Sequence, residues 1–204
     1  MAGRRAYARL QSDERRQQLV ARATELFARH GYEELSMSRI AREAGISKAL
    51  LYHYFPSKSR LFATALQAAA EDLRRRTEAV DASLPPVEQV TVSLDAFLQW
   101  VDDHAEGYRR LIESAGIPEV REIVGSVRAS TRERILAGLG AEGERAAARA
   151  AVGAWLWFLD GLVLDWLEHD RDVGLAELRD TALGALFGAL AGAGADLAKQ
   201  AHPA

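Results

Sequence analysis

The sequence predicts an all-α protein, and three observations support this fold class. Apolar residues recur at helical spacing along most of the chain, whereas the alternating apolar and polar runs of half-buried strands are scarce. Val and Ile, which favour strands, are few beside Ala and Leu. Ser and Gly stand where helices are expected to begin and end. With 204 residues and 49% hydrophobic side chains, the chain can build one or two domains around a sizeable core.

Four helices are expected in the first third of the chain. The first runs over about residues 12–30, where Leu19, Ala23 and Leu26 form an apolar stripe and Gly31 can act as a C-terminal cap. The next three helices can each begin at a capping serine, namely Ser36, Ser47 and Ser57. The third helix is short, because Pro56 disfavours helical geometry at the residue before it.

A larger helical body follows a linker at residues 81–89 (DASLPPVEQ). Breaks between its helices are expected near residues 115–119, 138–144 and 169–174, where Gly, Pro and polar residues cluster. The sequence therefore predicts three regions. These are a flexible basic arm (residues 1–11), an N-terminal helical domain with a connecting helix (12–78) and a larger helical domain (79–204).

Composition excludes several classes of protein. The chain has no cysteine, which rules out disulfides, thiolate metal sites and cysteine nucleophiles. Its first 18 residues lack the apolar segment of a secretory signal. The long apolar stretches are either interrupted by charged residues or too short to span a bilayer. We therefore expect a cytoplasmic protein that has no membrane partner.

The charge of the chain is distributed unevenly. Residues 1–60 carry 12 of the 26 Lys and Arg residues and 6 of the 29 Asp and Glu residues, a net charge of +6, whereas the remainder carries −9. A basic end joined to an acidic body indicates that the first part meets a polyanion. Chance clustering of surface charge is the alternative.

The segment at residues 45–58 (GISKALLYHYFPSK) predicts a helix-turn-helix, whose second helix usually enters the major groove of DNA. At 100° per residue, one side of that helix holds the expected anchors Leu50, Leu51 and Tyr54. The opposite side holds Lys48, Ala49, Tyr52 and His53. A solvated face more often carries Glu, Lys and Gln, so the rings beside a cation indicate a binding surface.

Basic residues stand at three helix starts in this region, namely Arg39, Lys48, Lys58 and Arg60. The positive end of the helix dipole disfavours each of them by about 0.3–1 kcal/mol. Phosphate contact accounts for this repeated choice, because helix N-termini and basic side chains both bind phosphate. Ordinary surface lysines and arginines are the alternative.

Residues 12–73 resemble the DNA-binding domain of the tetracycline-repressor (TetR) family. The resemblance rests on the combined spacing of three segments, at residues 27–32, 40–48 and 51–62. It implies a three-helix DNA-binding domain that helix four joins to a ligand-binding and dimerisation domain. It further implies a homodimeric regulator, usually a repressor, that a small molecule releases from palindromic double-stranded operator DNA.

The resemblance and the charge pattern assign the DNA contacts to Ser36, Ser38, Arg39, Ser47, Lys48, Ala49, Tyr52, His53, Tyr54 and Lys58. By resemblance, Tyr52 and Tyr54 would touch phosphates, and Lys58 would hold the DNA backbone from the start of helix four. Ala49 would let the helix approach closely or touch a thymine methyl group.

Three features qualify this assignment. Leu35-Ser36 stands where paired threonines are frequent in the family, which weakens one phosphate contact. Ser59-Arg60 stands where acidic residues are frequent, which strengthens the electrostatic attraction. The arginines at positions 4, 5 and 9 could form an arm that reaches DNA or a solubilising tail.

Two C-terminal segments predict an interface with a second copy. Residues 150–167 are apolar nearly all round, and residues 181–194 place glycines four apart on one face. Such helices must be buried on all sides, either in the core of one domain or, as the resemblance implies, in a four-helix dimer interface. We expect the dimer, with interface residues Trp157, Gly161, Asp165, Gly184, Phe187 and Gly188.

A small-molecule site is expected in the larger domain. Trp100, His104 and Tyr108 are spaced four apart, so they would share one face of a helix. The candidate effector residues are Trp100, Asp103, His104, Tyr108, Leu111, Trp155, Phe158 and Leu162. A mostly apolar site with a few polar groups suits a hydrophobic or cationic molecule. For each aromatic residue, plain core packing is the alternative.

An enzyme is the first rival interpretation. The five histidines are scattered, and no catalytic or phosphate-binding motif appears. The pair Asp165–His169 and the cluster Asp102-Asp103-His104 are weak metal candidates that solvated helix ends explain better. No catalytic residue, metal or cofactor is therefore expected. The second rival is a DNA-binding architectural protein or activator that has no small-molecule effector.

Overall fold

The structure, a computed structural model, describes the backbone of residues 2–195 and the side chains of residues 12–195 apart from Ala115. Across this part of the chain there are nine α-helices, two short 3₁₀ turns and no β-strand. The helices are α1 (Ala2–His30), α2 (Met37–Glu43), α3 (Lys48–Tyr54), α4 (Lys58–Glu78), α5 (Pro86–Asp103), α6 (Ala105–Glu113), α7 (Pro118–Gly138), α8 (Ala146–Glu168) and α9 (Leu175–Gly192). The all-α prediction is confirmed.

The chain divides into two compact units. The first extends to Asp72 and includes Glu106–Ile123, and the second comprises Leu73–Ala105 and the residues from Val124 onward. Residues 106–123 were expected in the larger domain, whereas here they belong to the first unit. Helix α6 packs closely on α1 within that unit, where a Cβ atom at Gly107 would lie only 3.2 Å from the Cβ of Ala28. The glycine permits this close approach.

The first unit is built around a small aromatic and aliphatic core. The predicted stripe of α1 is buried, with Ala23, Leu26 and Phe27 almost inaccessible to solvent. The ring of Phe62 on α4 lies 4.7 Å from the ring of Phe27 and 4.8 Å from that of Tyr32. These contacts hold the end of α1 against the start of α4.

The three predicted helix starts at serine caps are confirmed in this unit. The hydroxyls of Ser36, Ser47 and Ser57 each accept a hydrogen bond from the backbone N–H three residues later. Gly31 (φ 70°) and Gly45 (φ 66°) end α1 and α2 in the left-handed conformation that favours glycine.

The first helix begins at Ala2, ten residues before its expected start at Ser12. Residues 4–11 contain no glycine or proline to interrupt the helix. The side chains of Arg4, Arg5 and Arg9 lie outside the described residues, so the DNA-reaching arm stays a prediction.

The second unit is held together by α5, α8 and α9. Helix α9 packs against both α5 and α8. The indole N–H of Trp155 on α8 donates a 2.8 Å hydrogen bond to the carbonyl oxygen of Ala182 on α9, and that of Trp166 donates to Val173 at 2.8 Å. By length and composition, α8 is apolar enough to cross a membrane, a test that core helices of soluble proteins also pass.

One predicted helical register in this region is wrong. Trp100, His104 and Tyr108 do not share a helix, because α5 ends at Asp103 and His104 leaves helical geometry with φ −126° and ψ 29°. The imidazole Nδ1 of His104 lies 2.8 Å from the carbonyl oxygen of Trp100, and its ring stacks on the Trp100 indole at 4.6 Å. The imidazole of His104 thus caps the last turn of α5, and the helix ends there instead of continuing.

Candidate nucleic-acid interface

Helix α3 presents most of its surface to solvent. Leu51 is fully buried and marks the inner side of the helix. The residues on the remaining surface, namely Lys48, Ala49, Leu50, Tyr52 and His53, are exposed. A hydrogen bond of 3.0 Å from the N–H of Ile46 to the carbonyl oxygen of Ala41 fixes the turn between α2 and α3. The two helices therefore form the predicted helix-turn-helix.

The predicted inner position of Leu50 is wrong. Its side chain keeps 36% of its surface exposed, whereas Leu51 keeps none. Leu50 lies 100° from Leu51 around the helix axis. A helix of seven residues packs along one narrow strip, and Leu51 occupies this strip alone. The sequence could not show how narrow that strip is.

The exposed aromatic residues of α3 have neighbours on the same helix. The ammonium group of Lys48 lies 5.9 Å from the ring centroid of Tyr52, which is one helical turn further on. The rings of His53 and Tyr54 meet edge to face at 5.4 Å. Tyr54 is half-buried, so the structure places it at the margin of the exposed face.

The start of α2 brings Ser36, Ser38 and Arg39 to one end of the helix-turn-helix. Ser36 uses its oxygen as a cap, and its hydroxyl proton is still available to donate to a phosphate. Arg39 is half-buried, and its Nη2 lies 3.2 Å from Nε2 of His30 at the end of α1. The same Nη2 lies 3.4 Å from Nδ1 of this ring, so the guanidinium group of Arg39 is close to both imidazole nitrogens.

The start of α4 holds the turn that follows α1. The ammonium group of Lys58 donates a 3.0 Å hydrogen bond to the carbonyl oxygen of Tyr32 and lies 4.0 Å from the centroid of its ring. Burial raises the pKa of the Tyr32 hydroxyl, and the nearby carboxylates of Glu33 and Glu119 raise this pKa further. The prediction gave Lys58 only a DNA contact, whereas the structure also gives it a partner in the protein.

The structure distributes the predicted effector residues over both units. Tyr108 and Leu111 belong to the first unit, and the other six belong to the second. Trp100 and Trp155 are buried, whereas Asp103, His104 and Phe158 are exposed. Neither unit brings the eight residues together. The wrong helical register at His104 is one reason, since it had grouped Tyr108 with Trp100.

Within each helix the predicted dimer residues lie on one side, with Trp157, Gly161 and Asp165 inside an arc of about 80° on α8 and Gly184, Phe187 and Gly188 inside an arc of about 100° on α9. These two sides are referred to as the exposed face of α8 and α9. Trp157 keeps 67% of its surface exposed, and Asp165 is also exposed, whereas Phe187 is half-buried. A side-chain carbon added at Gly161, Gly184 or Gly188 would meet no atom within 4 Å. These glycines leave open space instead of packing against another helix of the same chain.

An arginine that was not predicted from the sequence lies against Trp157. The guanidinium carbon of Arg128 on α7 lies 3.8 Å from the ring centroid of Trp157, and its Nη2 pairs with the carboxylate of Asp160. Arg128 and Asp160 are 32 residues apart in the chain, so no local pattern could have revealed the pair. Among the described residues, no group of three or more His, Cys, Asp and Glu could hold a metal ion.

A helix-turn-helix that exposes a cation and aromatic rings on its second helix defines a DNA-binding protein. Comparisons with known proteins give the same class. A family model described as bacterial regulatory proteins of the tetR family matches residues 19–65. A second model, described as a tetracyclin repressor-like C-terminal domain, matches residues 86–188. The chain belongs to the tetR family of transcriptional regulators.

Individual relatives extend this likeness over most of the chain. The HTH-type transcriptional activator FasR of Mycolicibacterium smegmatis is 30% identical over 179 residues, which are 84% of this chain and 80% of FasR. The HTH-type transcriptional regulator BetI of Agrobacterium fabrum is 46% identical over 61 residues, which are 30% of each chain. A tetR-family regulator from Streptomyces coelicolor has a similar structure, with a TM-score of 0.80 and 32% identity over 90% of this chain and 83% of its own.

Proposed function

We propose that this DNA-binding regulator acts as a homodimer that recognises a palindromic operator and is released from it by a small molecule. The exposed face of α3 carries the proposal for DNA contact, because it presents a cation, two aromatic rings with polar groups and no acidic residue. Ser36 and Ser47, which cap α2 and α3, and Arg39 in the first turn of α2 add groups that can meet phosphates.

The exposed face of α8 and α9 supports the proposed dimer. An indole with two-thirds of its surface in solvent is costly for an isolated chain, and it lies beside glycines that leave room for a partner helix. Covering this face with the same face of a second copy would bury Trp157 in an interface with two-fold symmetry. The two α3 helices would then lie about 34–36 Å apart on a palindromic site.

The ligand would act through the equilibrium between two conformations. Helix α4 belongs to both units along the chain, because the division between them falls after Asp72. A ligand bound in the second unit can change DNA affinity only by as much as its own affinity differs between the two conformations. We propose a hydrophobic or cationic effector, and we expect no catalytic turnover and no resident cofactor.

Activation is the second candidate outcome of DNA binding. The resemblance implies a repressor. FasR, of which 80% is matched by this chain, is named an activator. The position of the operator relative to the promoter would decide between repression and activation. Both outcomes place the regulator in the cytoplasm, where the promoter is.

The experiment that tests the proposal is selection of bound duplexes from random DNA by the purified full-length protein at a stated salt concentration. A palindromic winner that binds at least about 1,000-fold more tightly than random DNA would support a dimeric sequence-specific regulator. A promoter carrying this site, fused to a reporter, then separates repression from activation. Salt-dependent binding without a preferred sequence would contradict the proposal and favour the architectural alternative.

A further inference from the structure

The exposed surface of α3 has two chemically different sides. The direction opposite the buried Leu51 is occupied by Ala49 and His53, which form the outermost ridge of the helix. Tyr52, with Lys48 next to it at 40° around the axis, flanks this ridge at about 80° on one side. Leu50 flanks it at the same angle on the other side. One flank is therefore cationic and aromatic, whereas the other exposes the aliphatic Leu50, with the half-buried Tyr54 next to it at 40° and nearer the inner side of the helix.

Leu50 adds an apolar side chain to a surface that is expected to meet DNA. Leu50 keeps 36% of its side chain exposed although it can neither donate nor accept a hydrogen bond. Against phosphates or polar base edges it would remove water from those groups without replacing their hydrogen bonds. The major groove offers a protein only one apolar group, the 5-methyl group of thymine. This methyl is the group that an exposed leucine on α3 can contact with a gain in free energy.

We propose that Leu50 reads a thymine in each half-site through its 5-methyl group and thereby sets the base preference at that position. The inference rests on the proposed placing of α3 in the major groove. Leu50 lies on one flank of α3, and Tyr52 and Lys48 on the other flank would face the opposite wall of the groove. One leucine is therefore enough to contact the thymine on its own side. The contact is hydrophobic, so it discriminates thymine from cytosine and from uracil alike.

Ala49 is the competing reader of the same group. Its methyl side chain lies on the outermost ridge and can also touch a thymine methyl. The two residues point about 100° apart around the helix, so they would face different bases. A test therefore has to separate the thymine that depends on Leu50 from one that depends on Ala49.

The test uses the palindromic duplex obtained by selection, in which each thymine is replaced in turn by uracil. This change deletes the methyl group and leaves base pairing and the O4 acceptor intact. For the wild-type protein, uracil at one position of a half-site is expected to weaken binding about fourfold, and about 15-fold when both half-sites are changed. For Leu50→Ala, thymine and uracil at that position should bind equally well.

Two further variants keep the test decisive. Leu50→Met retains an apolar side chain of similar size and should retain the sensitivity to uracil. Ala49→Gly should leave the sensitivity at that position unchanged. Near-identical thermal unfolding of the Leu50 variants would show that the folded domain is being compared, as expected for an exposed residue. Ala49→Gly should be less stable by about 0.5–1 kcal/mol, because glycine is a poor helix former, so its binding is measured well below its unfolding temperature.

Three results would overturn the inference. One is a wild-type protein that binds every uracil duplex as tightly as the parent, and another is a Leu50→Ala variant that remains sensitive at every position. The third is loss of the sensitivity in Ala49→Gly instead. In these cases the selected duplex still binds, so the proposed function stands. If selection yields no preferred duplex at all, the proposed function fails, and the base reading assigned to Leu50 fails with it.

Discussion

The ammonium group of Lys58 lies 3.0 Å from the carbonyl oxygen of Tyr32 and 4.0 Å from the centroid of its ring. One side chain at the start of α4 thus satisfies a backbone acceptor and covers an aromatic face in the turn after α1. The same ring packs on Phe62, so the contact adds to the core of the DNA-binding unit. Lys58 therefore has a structural role as well as the proposed contact with DNA.

Replacement of Lys58 by alanine should affect both stability and DNA binding. Loss of the charged hydrogen bond and of the cation–π contact should lower the free energy of unfolding by about 1–2 kcal/mol, measured by urea denaturation. If the ammonium group also meets a phosphate, the dependence of log K on log salt should fall by about 1. The operator affinity measured between about 50 and 200 mM salt gives this slope, because phosphate contacts make the affinity fall steeply over that range.

Arg60→Ala is the matched control, because Arg60 is exposed and also lies in the first turn of α4, where its backbone N–H donates to Ser57 Oγ and its carbonyl oxygen accepts from Thr64 Oγ1. It removes one positive charge without removing a contact to the turn. We expect its unfolding free energy to stay within about 0.5 kcal/mol of the wild type. Equal unfolding free energies for Lys58→Ala and the wild type would contradict the structural role of Lys58.

Replacement of Ser47 by aspartate should separate the capping role from the DNA contact. Ser47 accepts a 3.1 Å hydrogen bond from the N–H of Leu50, and aspartate caps a helix about as well as serine. Stability should therefore be nearly unchanged, whereas Ser47→Ala should lower it by about 1 kcal/mol. A negative charge near a phosphate should weaken operator binding at least about fivefold.

The loss caused by Ser47→Asp should shrink as salt is raised, because salt screens exposed charges. Fluorescence anisotropy with a labelled operator measures the affinity, and thermal unfolding measures the stability. An aspartate variant that binds the operator as tightly as the wild type would remove Ser47 from the DNA surface while leaving its cap intact.

Tyr52 and Leu51 are adjacent in sequence but should behave in opposite ways. Tyr52→Phe removes only the exposed hydroxyl group and should weaken operator binding up to about fivefold, with stability unchanged. Leu51→Ala removes a fully buried side chain and should cost about 2–5 kcal/mol of stability. Binding of Tyr52→Phe that matches the wild type, with circular dichroism confirming the fold, would exclude a phosphate contact by this hydroxyl group.

Apart from the start of α1, the predicted helix starts and ends in the first unit follow from single residues. A serine cap, a glycine in the left-handed conformation and a proline each act within one turn, so local chemistry fixes Ser36, Gly45 and the short α3. The break at His104 could not be predicted in this way. It depends on the imidazole of His104, which stacks on Trp100 and caps its carbonyl oxygen. Continuation of the helix through His104 was the other geometry that the sequence allowed.

The candidate site was predictable only where orientation follows from helical spacing. The exposure of Lys48, Tyr52 and His53 agrees with their angular positions. The exposure of Leu50 and the partner of Lys58 were missed, because both depend on how closely neighbouring elements approach. The pairing of Arg128 with Asp160 is likewise set by tertiary packing between α7 and α8.

The exposed face of α8 and α9 can be tested with two glycines. Gly188→Arg places a long cation where the second copy is expected to pack, and it should shift the protein to monomers in sedimentation at micromolar concentration. Gly125→Arg on α7 is the matched control, because Gly125 is also an exposed helical glycine with open space around it. A dimer that persists in the Gly188 variant would place the interface elsewhere.

His169 at the end of α8 should titrate at a higher pH than an imidazole ordinarily does. Its Nδ1 lies 2.9 Å from the carbonyl oxygen of Asp165, and this bond is the first cause that raises the pKa of His169, followed by the Asp165 carboxylate. A raised pKa means that the folded state favours the protonated ring. The resulting stabilisation is complete below the unfolded pKa and is lost as pH rises through the folded value. His169→Gln should therefore lower stability in mild acid more than in alkaline solution.

The pKa itself can be measured by following the imidazole proton resonances of the five histidines with pH, the His169 signal being the one absent from His169→Gln. Asp165→Asn keeps the backbone carbonyl and removes the carboxylate, so it should lower the pKa of His169. Asp172→Asn is the comparison, because Asp172 contributes a smaller effect of the same sign. An Asp165→Asn variant whose His169 titrates as in the wild type would show that the carboxylate has no part in raising the pKa.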